Sequence, residues 1–483
     1  MKKLLMLLVF FFLFFSAAQF LRPFIGNPSM IGSTTYFHYH GAELLANGQS
    51  YDPLSFGGRD YTYPPGFHYL LALTMVIWPI LLPIIGVLGV ALCYYFARQL
   101  GFTDEEALFS SAMLGFIPGF IYLAGHLNPR LPALVLLVLS FVLLMKKSTK
   151  AKVLAGLSLS AVLYFHPLVG GIGLAFGAIL FRKRLRDLVF PYCLALALFF
   201  LWFLPFIASN GLPQAAHFYS QYIELQSGIQ FFVWENALVS DSISLLMLLT
   251  AIYGLFAIRE KETKFVKEWL ILSVIAALIF GNRLNEQLLF PVALLSGKVI
   301  ISYWSKLVKM ARLDFLDYRW WKVLLLTYIA LVGVLAAGSL LLFPPSADEY
   351  SAMTWLKLNT PQEAIVFAPW FEGHWISGIA MRKNVIDAYA EYAPNIDERF
   401  RDTKQVFFGS DIGAAIDALK KYNASYVYYR LGEENTELCG DFPYLTGYGY
   451  FDLVFSQGQS YVFKIDYSGK SEPARLCSKN VSR

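Results

Sequence analysis

Charge is scarce in this chain. Asp, Glu, Lys and Arg make up 15% of its 483 residues and hydrophobic residues 57%, where an average soluble domain is about 25% charged. That balance excludes a single soluble core, and the apolar runs recur so often that most of the length must be spent on membrane spans. Acidic excess is also lacking, with 34 Asp and Glu against 39 Lys and Arg and a formal net charge of +5. The cations do not form a nucleic-acid surface, because they sit in short clusters between apolar runs, where they act as topology signals. Cysteine is rarer still, at 4. Cys93 and Cys193 fall in apolar runs and read as inert packing residues. Cys439 and Cys477 fall in a polar tail, where an oxidising exterior permits a disulfide that sequence alone does not establish.

Eleven apolar stretches stand at 4–22, 80–97, 106–124, 131–145, 153–166, 168–181, 187–207, 241–258, 268–281, 285–303 and 323–343. The first follows Met1-Lys2-Lys3, the charged start of a signal sequence, but it is long for a signal core and reads as a retained span. Cation clusters at Lys2-Lys3, Arg98, 146–152, 182–186, 259–267 and 306–322 all fall on one side if the eleven stretches alternate. This predicts a multi-pass α-helical membrane protein with its N-terminus inside and its C-terminus outside.

The orientation places His38, His40, His68, His126, His166, His217 and His374 outside or at the outer ends of spans, which suggests a polar working surface there. Residues 1–343 form the expected transmembrane domain, with outer loops 23–79 and 208–240, and 344–483 an extracytoplasmic α/β domain. In that tail, 348–358 and 412–421 read as helices, 364–368 and 425–429 as strands, and 451–455 with 460–465 as a hairpin about Gln457-Gly458. Asn423-Ala424-Ser425 and Asn480-Val481-Ser482 are glycosylation sequons.

The first outer loop runs Thr34-Thr35-Tyr36-Phe37-His38-Tyr39-His40-Gly41-Ala42-Glu43, then Asn47-Gly48, Tyr51-Asp52-Pro53 and Tyr61-Thr62-Tyr63-Pro64-Pro65-Gly66. It resembles the signature loop of the GT-C superfamily of membrane glycosyltransferases, most closely the catalytic subunit of oligosaccharyltransferases. The run from Arg283 through Glu286 to Pro291 resembles the place where that family keeps an arginine near the lipid-linked phosphate. Trp355 to Pro361, Trp370-Phe371-Glu372-Gly373-His374-Trp375, Arg382 and Asp387 resemble the start of its outward domain. The departures are specific. Thr34 stands where the family has a metal-binding aspartate, Gly125-His126-Leu127-Asn128-Pro129-Arg130 stands where the second outer loop carries paired acids, and Phe371 falls near the acceptor-motif aspartate. A divalent metal, Mg or Mn, is implied by the resemblance, but its usual ligands are absent, and losing those oxygens dismantles such a site.

The resemblance implies transfer of a sugar or oligosaccharide from a polyprenyl-phosphate-linked donor at the outer face. Such chemistry needs fixed cations for the leaving phosphate and a base for the acceptor. Glu43, Asp52, His38 and His40 are the catalytic candidates; Arg283, Arg130, His126, Trp370 and His374 are the substrate-binding candidates. Glu43 falls about one helical turn from the two histidines, and Asp52-Pro53 also suits a turn. Arg283 is equally a snorkelling cation paired with Glu286. In the loop 208–240, His217, Glu224 and Glu235 lie among aromatics that suit a sugar groove or an interfacial belt. Partners are therefore a lipid-linked sugar, membrane lipid and an acceptor, and not nucleic acid. Two alternatives stay open: a non-catalytic GT-C-fold protein in surface glycan assembly, and a transporter, which the few buried ionisable groups and missing inverted repeat disfavour.

Overall fold

The computed structural model describes residues 2–211, 245–260, 263–310, 317–430 and 449–470, the side chains of 281–283 and 318 excepted. His217, Glu224, Glu235, Cys439, Cys477 and Asn480 lie outside the described residues. The chain divides into two compact units: one of 1–21, 64–209 and 223–342, the other of 22–63, 210–222 and 343–483.

The first unit is helical. Among the described residues each of the eleven apolar stretches is occupied by helix, from Lys2–Leu21 to Tyr318–Ser339, with 106–124 divided between two. By length and composition five helices can cross a membrane, or six if Asp104–Phe116 and Pro118–Gly125, bent by 64°, form one broken span. The bend follows from Pro118, which holds Ile117 in an extended conformation. The helix Leu289–Lys298 is buried at every residue and packs against Asp104–Phe116 so closely that a Cβ on Gly297 would lie 2.5 Å from the Ser110 nitrogen. Charge inside the unit is matched. Lys298 Nζ lies 3.2 Å from Glu106 and 2.6 Å from Glu260, and Glu106 also accepts from Ser302 and from the Thr103 amide. Cys93 is buried as expected, whereas Cys193 is exposed on its helix.

The second unit is mixed. Its strands are β1 (Tyr51–Asp52), β2 (Arg59–Asp60), β3 (Ile365–Phe367), β4 (Lys383–Asn384), β5 (Tyr426–Arg430), β6 (Phe451–Gln457) and β7 (Ser460–Ile465). The last five form one sheet in the order β4-β3-β5-β7-β6, parallel across the first three and antiparallel after. Alternate residues face opposite layers. Phe367, Val427 and Phe463 meet Val406, Phe407, Ile416 and Leu419 on one side, while Val366, Tyr428 and Val462 meet Met353, Leu356 and Ile376 on the other. The helices Ala347–Asn359 and Ile412–Lys421 match the periodicity read from sequence; Ile396–Phe408 and Gly373–Gly378 are additional. Residues 22–63 are part of this unit's core: Tyr36 packs with Met353 and Trp375, and Phe56 with Ile386, Ile396 and Phe400.

Candidate active site

Two short pieces of chain build the site from the loop. The helix Ser33–Ala46 carries Phe37, His38, His40 and Glu43. The ribbon that follows pairs β1 with β2 so that Asp52 stands opposite Arg59. Asp52 caps its own turn, accepting from the amides of Leu54 at 2.9 Å and Ser55 at 3.3 Å. Between the strands Phe56 is held at φ 56°, an uncommon conformation for a bulky residue, by its ring in the core and by its amide, which donates to Asn384 Oδ1 at 2.7 Å. Asn384 in turn donates its backbone N–H to Leu54.

His40 and Asp52 meet in the interior, with Nε2 2.9 Å from Oδ1 and side chains 7% and 8% exposed. Burial alone would favour a neutral His40, but the hydrogen bond and charge of Asp52, with Glu43 and Asp387 farther off, outweigh it and hold the imidazole pKa above its usual value. Burial opposes ionisation of Asp52 as well, and the His40 contacts with the Ser55 and Leu54 bonds overcome it, holding the carboxyl well below the usual range. An ionised carboxylate only accepts, so Nε2 carries the proton and the neutral ring presents a lone pair at Nδ1. That atom is buried and has no hydrogen-bond partner.

Behind the pair lies a second charged group. Arg59 reaches Asp387 at 3.5 Å, both side chains being buried, and its guanidinium stacks 4.7 Å from the Phe56 ring and 5.3 Å from Tyr389. Asp387 also accepts from the Tyr389 amide at 2.8 Å. His374 Nδ1 stands 3.8 Å from Asp387, too far for a hydrogen bond, and burial, only partly opposed by Asp387, lowers its pKa. The backbone before His374 runs close to this acid: a Cβ on Gly373 would lie 2.0 Å from the Ile386 carbonyl and 2.8 Å from Asp387 Cα. Phe37 joins the parts, its ring 5.1 Å from His38, 5.1 Å from His374 and 4.9 Å from Tyr389. A small, partly open concavity lies in front, lined by Phe37, His40, Asp52, Arg59, Thr62, Tyr63 and Tyr389 among others.

The structure thus brings His38, His40, Asp52 and His374 into one cluster of the mixed unit. Glu43 is half-buried one turn beyond His40, and burial raises its pKa despite the charges of His40 and Lys357. Trp370 packs against the Phe56 cluster. Glu372, beside it, is pushed by burial up to about 7. Arg382 ties the end of the Ala347–Asn359 helix through Lys357 and Thr360. In the helical unit, His126 bonds the Tyr122 carbonyl at 2.6 Å, and Asn128 closes the turn before Arg130 by accepting from the Leu131 amide. Arg283 lies in the 3-10 stretch Gly281–Leu288, its side chain outside the described residues. Sequence reading passed over Arg59, Thr62 and Tyr389 as site residues; the only signal was a cation set between Gly58 and Asp60 in a polar ribbon.

These donors do not fit a divalent ion. Mg and Mn prefer several free hard oxygens, whereas Asp52 is held by His40 and Asp387 by Arg59. Among the described residues no group of three or more His, Cys, Asp or Glu could hold a metal.

No protein-family model matches the sequence, and no curated protein matches it. Solved structures do. The oligosaccharyltransferase of Archaeoglobus fulgidus in its apo form aligns at TM-score 0.64 and 15% identity over 97% of this chain and 75% of its own. The same organism's AglB, in complex with an inhibitory peptide and a dolichol-phosphate, aligns at 0.64 and 16% over 96% and 74%. ArnT from Cupriavidus metallidurans, bound to undecaprenyl phosphate, aligns at 0.61 and 13% over 97% and 99%. All are GT-C glycosyltransferases, and this chain shares their fold: several apolar helices and a C-terminal sheet region.

Proposed function

We propose that this chain is a membrane glycosyltransferase that moves a sugar or oligosaccharide from a polyprenyl-phosphate-linked donor to an acceptor at the outer face. The observation that carries this reading is the His40–Asp52 pair, a buried imidazole held by a carboxylate beside a concavity that both residues line, in a fold shared with proteins solved with dolichol-phosphate or undecaprenyl phosphate. Asp52 fixes the tautomer and His40 Nδ1 receives the acceptor's proton. Glu43 adds negative field at His40. His38, His374 and Trp370 pack behind the cavity and hold its shape. Arg283 and Arg130, with His126, contact the donor phosphate. The placement of the cation clusters supports a multi-pass arrangement with the N-terminus inside and 344–483 outside.

Transfer of labelled sugar from a panel of polyprenyl-phosphate donors tests the reading. General-base contributions are about 10²–10⁴-fold, so His40→Ala and Asp52→Asn should each lose about that much turnover while staying folded. Wild-type rates in both would remove the site. The missing loop acids favour one rival, a non-catalytic GT-C-fold protein; it predicts binding of polyprenyl phosphate with no turnover of any donor.

A further inference from the structure

One side chain outside the His40–Asp52 pair ties together three of the segments that frame it. Asn384 ends the short strand β4 and is 1% exposed. Its backbone N–H donates to the Leu54 carbonyl at 2.9 Å, and its side-chain Oδ1 accepts from the Phe56 amide at 2.7 Å. On the other side Nδ2 donates to the Gly373 carbonyl at 2.9 Å and stands 3.4 Å from Asp387 Oδ2. An N–H on one flank and a carbonyl on the other leave one orientation of the amide that satisfies both. The side chain therefore staples the turn after Asp52 to the segments that carry His374 and Asp387.

The turn needs such a clamp. The ribbon behind it pairs at two positions, Tyr51 with Asp60 and Asp52 with Arg59, too few to hold itself. Phe56 sits at φ 56°, where sterics disfavour a bulky side chain. Its ring is fixed in the core with Ile386, Ile396 and Phe400, and the Arg59 and Arg399 guanidinium groups lie 4.7 Å and 5.5 Å from its centroid. The freedom left to the turn is rotation of its backbone. Without the Asn384 acceptor that backbone relaxes toward negative φ, and the Leu54 and Ser55 N–H groups turn with it. Those two groups hold Asp52 Oδ1, the same oxygen that meets His40 Nε2.

We propose that Asn384 is a positioning residue for the His40–Asp52 pair: by clamping the 54–56 turn against the Gly373 segment, it keeps Asp52 within hydrogen-bond reach of His40. It acts through Asp52 and not on the substrate. The inference rests on the transferase reading above for the use of the pair as a base, but not for its geometry.

The test uses the full chain in nanodiscs with isotope-labelled histidine and follows the His40 ring by NMR as pH is varied, with His40→Ala assigning its signal. Asp52 favours the imidazolium, so withdrawing it lowers the His40 pKa. Asn384→Ala should lower that pKa by about one unit or more, the size expected when an opposite charge within about 4–6 Å is lost, and should do nothing further in an Asp52→Asn background. Glu43 and Asp387 also raise the His40 pKa, and Arg59 and His374 stand in the same cluster; all four remain in both backgrounds, so the double variant isolates the route through Asp52. Asn384→Asp keeps an oxygen for the Phe56 amide and should hold the His40 pKa at or above that of wild type. An unchanged pKa in folded Asn384→Ala, the same fall in the Asp52→Asn background, or a fall in Asn384→Asp would each overturn the inference. A purely structural role lowers the unfolding temperature and leaves the titration alone. Asn384→Ser, with a shorter polar side chain, takes the same readings if Asn384→Ala does not fold. The two readings fail separately. A lowered pKa with no transfer from any donor sinks the transferase and keeps the role of Asn384, whereas sugar transfer with an unmoved pKa does the reverse.

Discussion

Two buried charge clusters in this chain look alike and differ in what they leave unmade. In the helical unit, Lys298 is shared by Glu106 and Glu260, and Glu106 is closed off by Ser302 and Thr103. In the mixed unit, Asp52 holds His40 and Asp387 holds Arg59, but His40 Nδ1 and His374 Nδ1 have no partners. A closed cluster resists change, since desolvated charges are tolerated only when matched. An open one beside a concavity leaves hydrogen-bonding capacity unused.

That contrast can be broken at its strongest point first. Lys298→Met leaves Glu106 buried without its cation and should cost about 3–5 kcal/mol of stability, read as a loss of folded protein in thermal unfolding, with little change in activity per folded molecule. Gly373→Ala should cost less, about 1–3 kcal/mol, because the new methyl meets the Ile386 carbonyl and must push away the segment that carries Asp387; the unfolding temperature checks it.

A smaller effect lies in the pH profile. His40 works as a base only when neutral, and Asp52 holds its pKa above the usual value, so activity falls as pH drops through that raised value. Asp52→Asn removes the charge, and the acid limb should move to lower pH even as the maximal rate falls. A limb that stays in place would assign the titration to another group.

A last effect tests the periphery. Glu372 is raised by burial from 4.5 to about 7, so between those values the unfolded chain gives up a proton that the fold retains, and stability falls as pH rises until it levels above about 7. Glu372→Gln should be more stable than wild type at pH 8 and little different at pH 4, by thermal unfolding at each pH.

Local structure was legible where periodicity is strong. Helix Ile412–Lys421 and the β6–β7 hairpin stand where alternation and turn residues place them. Among the described residues each apolar stretch is occupied by helix, but composition does not distinguish a 13-residue apolar helix such as Leu245–Ala257 from one that crosses. His38, His40 and Asp52 were legible as candidates because polar, titratable residues are few in this chain. Their arrangement was not, since it depends on pairings such as Arg59 with Asp387 and Phe56 with Asn384, more than 300 residues apart, that leave no local periodic signal. Thr62 was invisible for a related reason: an unmade hydrogen bond is a property of the packed interior.

Chemical rescue tests the central claim most directly. In His40→Ala, whose lost ring lined the cavity, added imidazole should restore sugar transfer in a saturable way, while Asp52→Asn should gain nothing from it. Wild-type transfer by His40→Ala, or a folded His40→Ala protein that no imidazole concentration revives, would contradict the account.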